Sequence, residues 1–420
     1  MRGFHPCGHA LRHLTEWLES KGARLSNLCL GTYEDGERGV HTRAPLQKGQ
    51  IVLEVPHRLI LTEQVARASA IGRQIEASGI ALASTQSYLA ICLLQEKHTS
   101  DSFWAPYIAA LPVSFPQGPL FFTSEELVLL EGSFLLTKIE KRRSALAREY
   151  QNLRQRVPSF DRFTWEEFLW AHSLASSRCF RMEIYGKTTG GFVPVADMLN
   201  HRHPEETGWR FDNGTDSFVI TARKDFAPDE PVHDSYGRKC NSEFFLHHGF
   251  CLEENEDNRA QIRFADCIFR VPASLDHKTT RRMLSLLRLA CAGSDDLFPP
   301  ASEAQEEIRP VSLANETRSL LALSAACTEA LSSFASSLEE DEALLQDQAL
   351  TRNARNSVLM RLGEKKVLRY FIELAEVAVP WLRRPWSEVE RAAAECHYGA
   401  GHFDNYLTSV VSSLRSATGT

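Results

Sequence analysis

The chain has 420 residues, 43% of them apolar and 24% charged, with a formal net charge of −7. This is ample material for a globular protein of two or three domains, and the acidic balance argues against nucleic acid, whose phosphates call for a basic excess. No run approaches the roughly twenty apolar residues that span a bilayer, and the ten cysteines include no Cys-x-x-Cys pair of the kind that builds zinc clusters. The expectation is therefore a monomer with no metal and no membrane segment, in the cytoplasm, with plastid or nucleus as alternative compartments.

In chain order, His5, Cys7 and His9 form the one tight group of metal-ligand types, and we read them as a frayed end. Leu11 to Lys21 is an amphipathic helix with Leu11, Leu14, Trp17 and Leu18 on one face. Asp35-Gly-Glu-Arg-Gly39 is a turn-rich loop, followed by a strand over Gln50 to Pro56. Residues 62 to about 172 read as helical. Within them, Ser87 to Lys97 and Phe163 to Ser177 carry apolar faces, and Ser124 to Arg156 is one long helix opened by a capping box at Thr123-Ser-Glu-Glu126. The strands Trp209 to Phe211 and Phe218 to Thr221 flank Asn213-Gly214, the strongest hairpin signal in the chain. A further strand runs from Glu230 to Tyr236, and Asn241 to His248 is a short helix. From Thr279 the pattern is helical, in segments 279–292, 315–347, 351–377 and 385–395, separated by Pro299-Pro300, Pro310 and Pro380. The stretch 293–310 has linker composition.

The most informative stretch is Val193-Pro-Val-Ala-Asp-Met-Leu-Asn-His201, because a polar Asn-His pair ends an apolar run. A turn would explain that pair alone. Followed one hairpin later by Asp234-Ser-Tyr-Gly237, it resembles the C-terminal half of a SET-domain protein methyltransferase. Arg38-Gly39-Val40, Pro45 to Pro56, Ser177-Arg-Cys-Phe180, His248-Gly-Phe250, Ser336 to Glu342 and Arg361 to Lys365 extend the resemblance. They narrow it to the subfamily typified by the Rubisco large-subunit lysine methyltransferase and the actin-histidine methyltransferase. The resemblance implies an α+β protein: a split SET β-fold with a helical insertion, followed by an all-α C-terminal substrate-binding domain. The corresponding spans are 1–61 and 178–252 for the two SET portions, 62–177 for the insertion and 262–400 for the helical domain.

It also implies S-adenosylmethionine as cofactor, contacted by Gly36, Glu37 and Arg38 largely through backbone, and by Arg178, Asp197, Asn200, His201 and Tyr236. Arg38 stands where relatives have a small or apolar residue, so only its backbone is carried over. Arg178 would meet the cofactor's carboxylate, which a guanidinium fork suits. Methyl transfer is an in-line displacement that needs donor and amine aligned and the amine unprotonated. Tyr236 is the candidate catalytic residue, orienting the amine; the plainer alternative is a strand-end Tyr whose hydroxyl reaches solvent. Phe180, Asp197, Tyr236 and His248 would line the target pocket. In the family, a polar amide at the position of Phe180 goes with histidine and an aromatic with lysine, and Ala196 likewise lacks the indole of the histidine enzyme. The implied function is a protein-lysine N-methyltransferase acting on a folded protein docked on the helical domain. The alternatives are a protein-histidine N-methyltransferase and a non-catalytic interaction module. His248 departs from the Tyr of lysine-specific relatives, and Met182 stands near where the Rubisco enzyme has a second Arg.

Overall fold

The structure is a computed structural model that describes residues 4–6, 8–25, 27–34, 36–298, 307–395, 398–399 and 401–418. Cys7, Asp35 and Pro299-Pro300 lie outside the described residues. The chain divides into two compact units, Met1–Phe121 with Glu140–Arg238, and Phe122–Ile139 with Lys239–Thr420.

The first unit is built from small sheets. Strand Leu28–Tyr33 lies between Phe4–Pro6 and Arg38–Thr42. His5 is therefore part of a ladder rather than a frayed end, held there because Phe4 stacks on His41 with ring centroids 3.7 Å apart. Ser217–Ala222 pairs on one side with Ile51–Pro56 and on the other with Thr207–Asp212. The latter pair is the hairpin expected around Asn213-Gly214, and its turn is held by the amide of Gly214 donating to Asp212 Oδ1 at 2.9 Å. The hairpin Cys179–Ile184 with Lys187–Phe192 was not legible in the sequence; its turn sits on Tyr185 and Gly186, with φ of 47° and 76°. Asn200–His201 pairs in parallel with His233–Asp234. The strand expected over Glu230 to Tyr236 thus shrinks to two residues, because its partner is only two residues long, and Tyr236 lies beyond it.

The insertion of this unit is helical, as its periodicity predicts. Thr85–Lys97 packs against Trp165–Arg178, which starts at a capping box between Thr164 and Glu167. Both helices bury apolar rows, including Leu89, Leu93, Phe168 and Leu174 at 0% exposure; burying such side chains is worth about 1.5–3 kcal/mol each.

The helix expected over Ser124 to Arg156 is two helices, Ser124–Val128 and Phe134–Arg156. The capping box at Thr123 and Glu126 is present. The break comes at Gly132, whose φ is 83° and where a Cβ would lie 2.7 Å from the Ser333 carbonyl oxygen. A tertiary contact two hundred residues away sets that break, and local periodicity carries no trace of it.

The second unit is mainly helical. Its departure from an all-α domain is the hairpin Arg259–Phe264 with Cys267–Pro272, whose Ile262 and Val271 join the apolar core. That core is completed by Lys278–Ala290, Leu313–Ser332, Arg352–Leu382, Trp386–Glu395 and Asp404–Thr418. The segment expected over 315–347 is split, because Ser337 and Glu340 form a capping box that starts Leu338–Leu344 anew. Pro380 does not end its helix at once; it lies in the last turn of Arg352–Leu382, which loses the one bond its missing amide would make and stops two residues later. Within Glu339-Glu-Asp-Glu342 only the glutamates face outward. Asp341 is fully buried and bonded to Arg361 Nη2 at 2.6 Å and Lys365 Nζ at 2.7 Å. No helix among the described residues is long and apolar enough to cross a membrane.

Candidate active site

The geometry starts from Val195. A β-branched residue at φ 70° is strained, and this one is completely buried, immediately before the short 3-10 turn Ala196–Met198. The turn puts Asp197 inward, and the chain leaves it as the Asn200–His201 strand.

Asp197 is the centre of a buried polar cluster. Tyr107, fully buried on the helix Ala105–Ala110, donates its hydroxyl to Asp197 Oδ2 at 2.7 Å. Arg178, the last residue of its helix, donates Nη1 to the Asp197 carbonyl at 2.6 Å and stands 3.4 Å from Oδ2. Burial pushes the Asp197 carboxyl up from the usual carboxylate range, with Arg178 and Tyr107 opposing. Burial, then Asp197, raises the Tyr107 phenol, which stays protonated. Arg38 reaches the same cluster. Its Nη1 donates to the Ala110 carbonyl, and burial, then the Arg178 charge, lowers its pKa to about 10. Two guanidiniums therefore share one carboxylate. The Nε of Arg178 and Oδ1 of Asp197 are buried with no hydrogen-bond partner, so the cluster holds a donor and an acceptor still to be satisfied.

The second half of the site is built on the parallel pair of short strands. Asn200 donates Nδ2 to the Arg38 carbonyl at 2.8 Å, tying the Arg38–Thr42 strand to the Asn-His pair. His201 Nδ1 accepts the Tyr236 amide at 3.1 Å, and the two rings stack with centroids 5.2 Å apart. The Tyr236 hydroxyl donates to the Leu199 carbonyl at 2.9 Å. Its hydroxyl end lies inside, and burial raises the phenol well above its ordinary value; Asp234, Asp197 and Glu37 add to that and Arg178 opposes it. The half-buried Tyr236 thus has its hydroxyl bonded to a backbone carbonyl, which the alternative of a solvent-facing strand-end Tyr did not foresee.

Arg38, Arg178, Asp197, Asn200, His201 and Tyr236 are thus brought together. Gly36, at φ 80°, and the half-buried Glu37 form the turn before Arg38, closed by the Tyr33 amide on the Glu37 carbonyl at 2.7 Å. Phe180 packs its ring on Phe218 at 5.0 Å and Trp209 at 5.5 Å. Met182 is buried and Arg181 exposed, on opposite faces of their strand. His248 belongs to the second unit, ending the helix Asn241–His248 with its ring 6.1 Å from those of Phe244 and Phe250. Sequence reasoning missed Tyr107 altogether and gave Arg38 no side-chain part. The one local hint was Trp104-Ala-Pro-Tyr107, where Pro106 opens a helix and puts an aromatic residue on its first turn.

The residues from Arg38 to Tyr236 lie within a stretch that matches known proteins. Residues 37–237 match the SET domain model, and residues 248–368 match the Rubisco LSMT substrate-binding model. Actin-histidine N-methyltransferases of Callithrix jacchus and Gallus gallus are each 25% identical, over 89% and 86% of this chain and 70% and 68% of their own. A structure of Rubisco LSMT bound to sinefungin and monomethyllysine superposes with a TM-score of 0.74 at 22% identity, covering 92% of this chain and 96% of that one. The SET domain of LSMT bound to lysine and AdoHcy gives 0.73 at 22%, over 89% and 92%. With its strained turn, Asn-His pair and half-buried Tyr236 inside the matched span, this chain belongs to the SET-domain protein methyltransferases, in the branch that carries a Rubisco LSMT substrate-binding domain.

Proposed function

We propose that this chain transfers a methyl group from S-adenosylmethionine to a lysine side chain of a folded protein docked on its C-terminal helical domain. The observation that carries the reading is the Tyr236 hydroxyl, fixed on the Leu199 carbonyl beside a buried cluster with a positive excess and two unsatisfied polar atoms. Proteins of the same fold are described with AdoMet, AdoHcy or sinefungin bound. Arg178 Nε and Asp197 Oδ1 suit the carboxylate and ammonium of such a ligand's amino-acid end. Bound there, the cofactor supplies an electrophilic methyl group whose bond to sulfur breaks as the bond to nitrogen forms.

The chain's own residues do the rest. Tyr236, a phenol that stays protonated at neutral pH, is no general base; its hydroxyl and ring hold the target nitrogen in line. A lysine amine at its reference pKa near 10.4 is charged at neutral pH, so desolvation must favour the free base. Phe180, packed on Trp209 and the fully buried Phe218, offers an apolar surface for that purpose. Transfer to histidine is the second reading, favoured by the names of the relatives.

The test is to incubate the full chain with methyl-labelled S-adenosylmethionine and the folded proteins of a cell extract, then hydrolyse and separate the amino acids. Label in Nε-methyllysine is expected. Label in methylhistidine would establish the second reading, and label in neither would overturn both.

A further inference from the structure

The side chain of Arg38 enters the reading so far only as one charge of the buried cluster, with no contact to the ligand assigned to it. Yet the guanidinium is turned inward, anchored on Ala110 and close enough to Arg178 for their charges to oppose each other. Asp197 is the carboxylate that both guanidiniums face, and its Oδ2 already takes the Tyr107 hydroxyl. A second arginine crowded against the first in a buried place is unfavourable unless an anion balances it. The cluster has two cations and one anion, and the unpartnered Arg178 Nε marks where another acceptor is wanted.

We propose that Arg38 and Arg178 together receive the carboxylate of the cofactor, so that this chain binds that group with two guanidiniums rather than one. The inference rests on the cofactor reading above. Asp197 keeps the pair apart and in place, Ala110 and Tyr107 fix the arrangement from the helix Ala105–Ala110, and a carboxylate arriving between the arginines relieves their mutual repulsion. The feature is specific to the amino-acid end of the ligand. An adenine thioether lacking that end gains nothing from Arg38.

Calorimetry on the full chain tests this with two nucleosides, S-adenosylhomocysteine and 5′-methylthioadenosine, the second lacking both carboxylate and ammonium. Arg38→Met is expected to weaken S-adenosylhomocysteine about tenfold, a charge-assisted contact of about 1.4 kcal/mol, and to leave methylthioadenosine unchanged. Arg38→Lys, which keeps the charge, is expected to recover most of the loss. Because Arg38→Met removes a repulsion, the fold should persist, and a thermal melt checks it. Equal losses for both nucleosides, or wild-type affinity for S-adenosylhomocysteine in Arg38→Met, would overturn the proposal. Failure of the wild-type chain to bind S-adenosylhomocysteine at all would overturn the cofactor reading and, with it, the part given to Arg38.

Discussion

The Tyr107 hydroxyl donates to Asp197 Oδ2 at 2.7 Å, although 90 residues separate the two in sequence. Both side chains are buried, so this bond connects the helical insertion to the strained turn that carries the site. A carboxylate with no solvent depends on each donor it has.

Tyr107→Phe removes that donor and keeps the ring. We expect a loss of about 1–3 kcal/mol in stability, the cost of a buried acceptor left short of a partner, together with weaker S-adenosylhomocysteine binding. Urea unfolding and calorimetry read the two effects. A variant as stable as wild type would mean that the two arginines hold Asp197 without the phenol.

Tyr236→Phe should separate binding from turnover. The ring remains stacked on His201 while the bond to the Leu199 carbonyl is lost, so cofactor affinity should stay close to wild type. Turnover should fall at least about tenfold, each factor of ten being about 1.4 kcal/mol of barrier. Single-turnover kinetics on an unmethylated protein substrate would decide it, and a rate of transfer near wild type would remove Tyr236 from the chemistry.

How much of this was legible beforehand depended on whether the cause was local. The Asn213-Gly214 hairpin and the capping boxes at Thr123 and Thr164 are local devices, and the first two of these three were readable from the sequence. The Tyr185-Gly186 hairpin was missed because Lys187-Thr-Thr-Gly-Gly191 has the composition of a loop and its turn begins with a bulky residue at positive φ. The break at Gly132 and the Tyr107 contact both depend on residues far along the chain. The site motifs from Arg178 to Tyr236 were legible as a pattern, whereas the inward turn of Arg38 exists only through packing against Ala110.

Glu364 provides a pH test within the second unit. Burial raises its carboxyl to about 8 from 4.5, although Ser133 and the Phe134 amide donate to it. The folded state therefore binds a proton that the unfolded chain releases above about pH 4.5. Its contribution is full below that point and is lost as pH rises towards 8, at about 1.4 kcal/mol per unit. Glu364→Gln imitates the protonated acid, so the two proteins should be nearly equal at pH 4 and the variant should gain progressively towards pH 8. Denaturant melts at several pH values measure the difference; parallel profiles would show that Glu364 does not titrate in this range.

Asp341 gives the last prediction, because it turns an apparent acidic patch into a structural ion cluster. Its neighbours Glu339 and Glu342 are exposed and lie 3.6 Å from Arg369 and 3.2 Å from Lys366, pairs of the kind worth under about 1 kcal/mol. Asp341 instead lies at 0% exposure between Arg361 and Lys365, and Lys365 also donates to the Ser336 and Ser337 carbonyls. Asp341→Asn would leave both buried cations without a counter-ion. We expect a loss of about 3–5 kcal/mol, the usual cost of breaking a buried pair from one side, while Glu339→Ala and Glu342→Ala stay within about 1 kcal/mol. Replacing the cluster whole, with Asp341→Leu, Arg361→Met and Lys365→Met together, should recover part of that loss, since no charge is then left unpaired. Urea unfolding of the full chain compares the four variants. An Asp341→Asn protein no weaker than the two glutamate variants would show that water reaches the cluster and screens it.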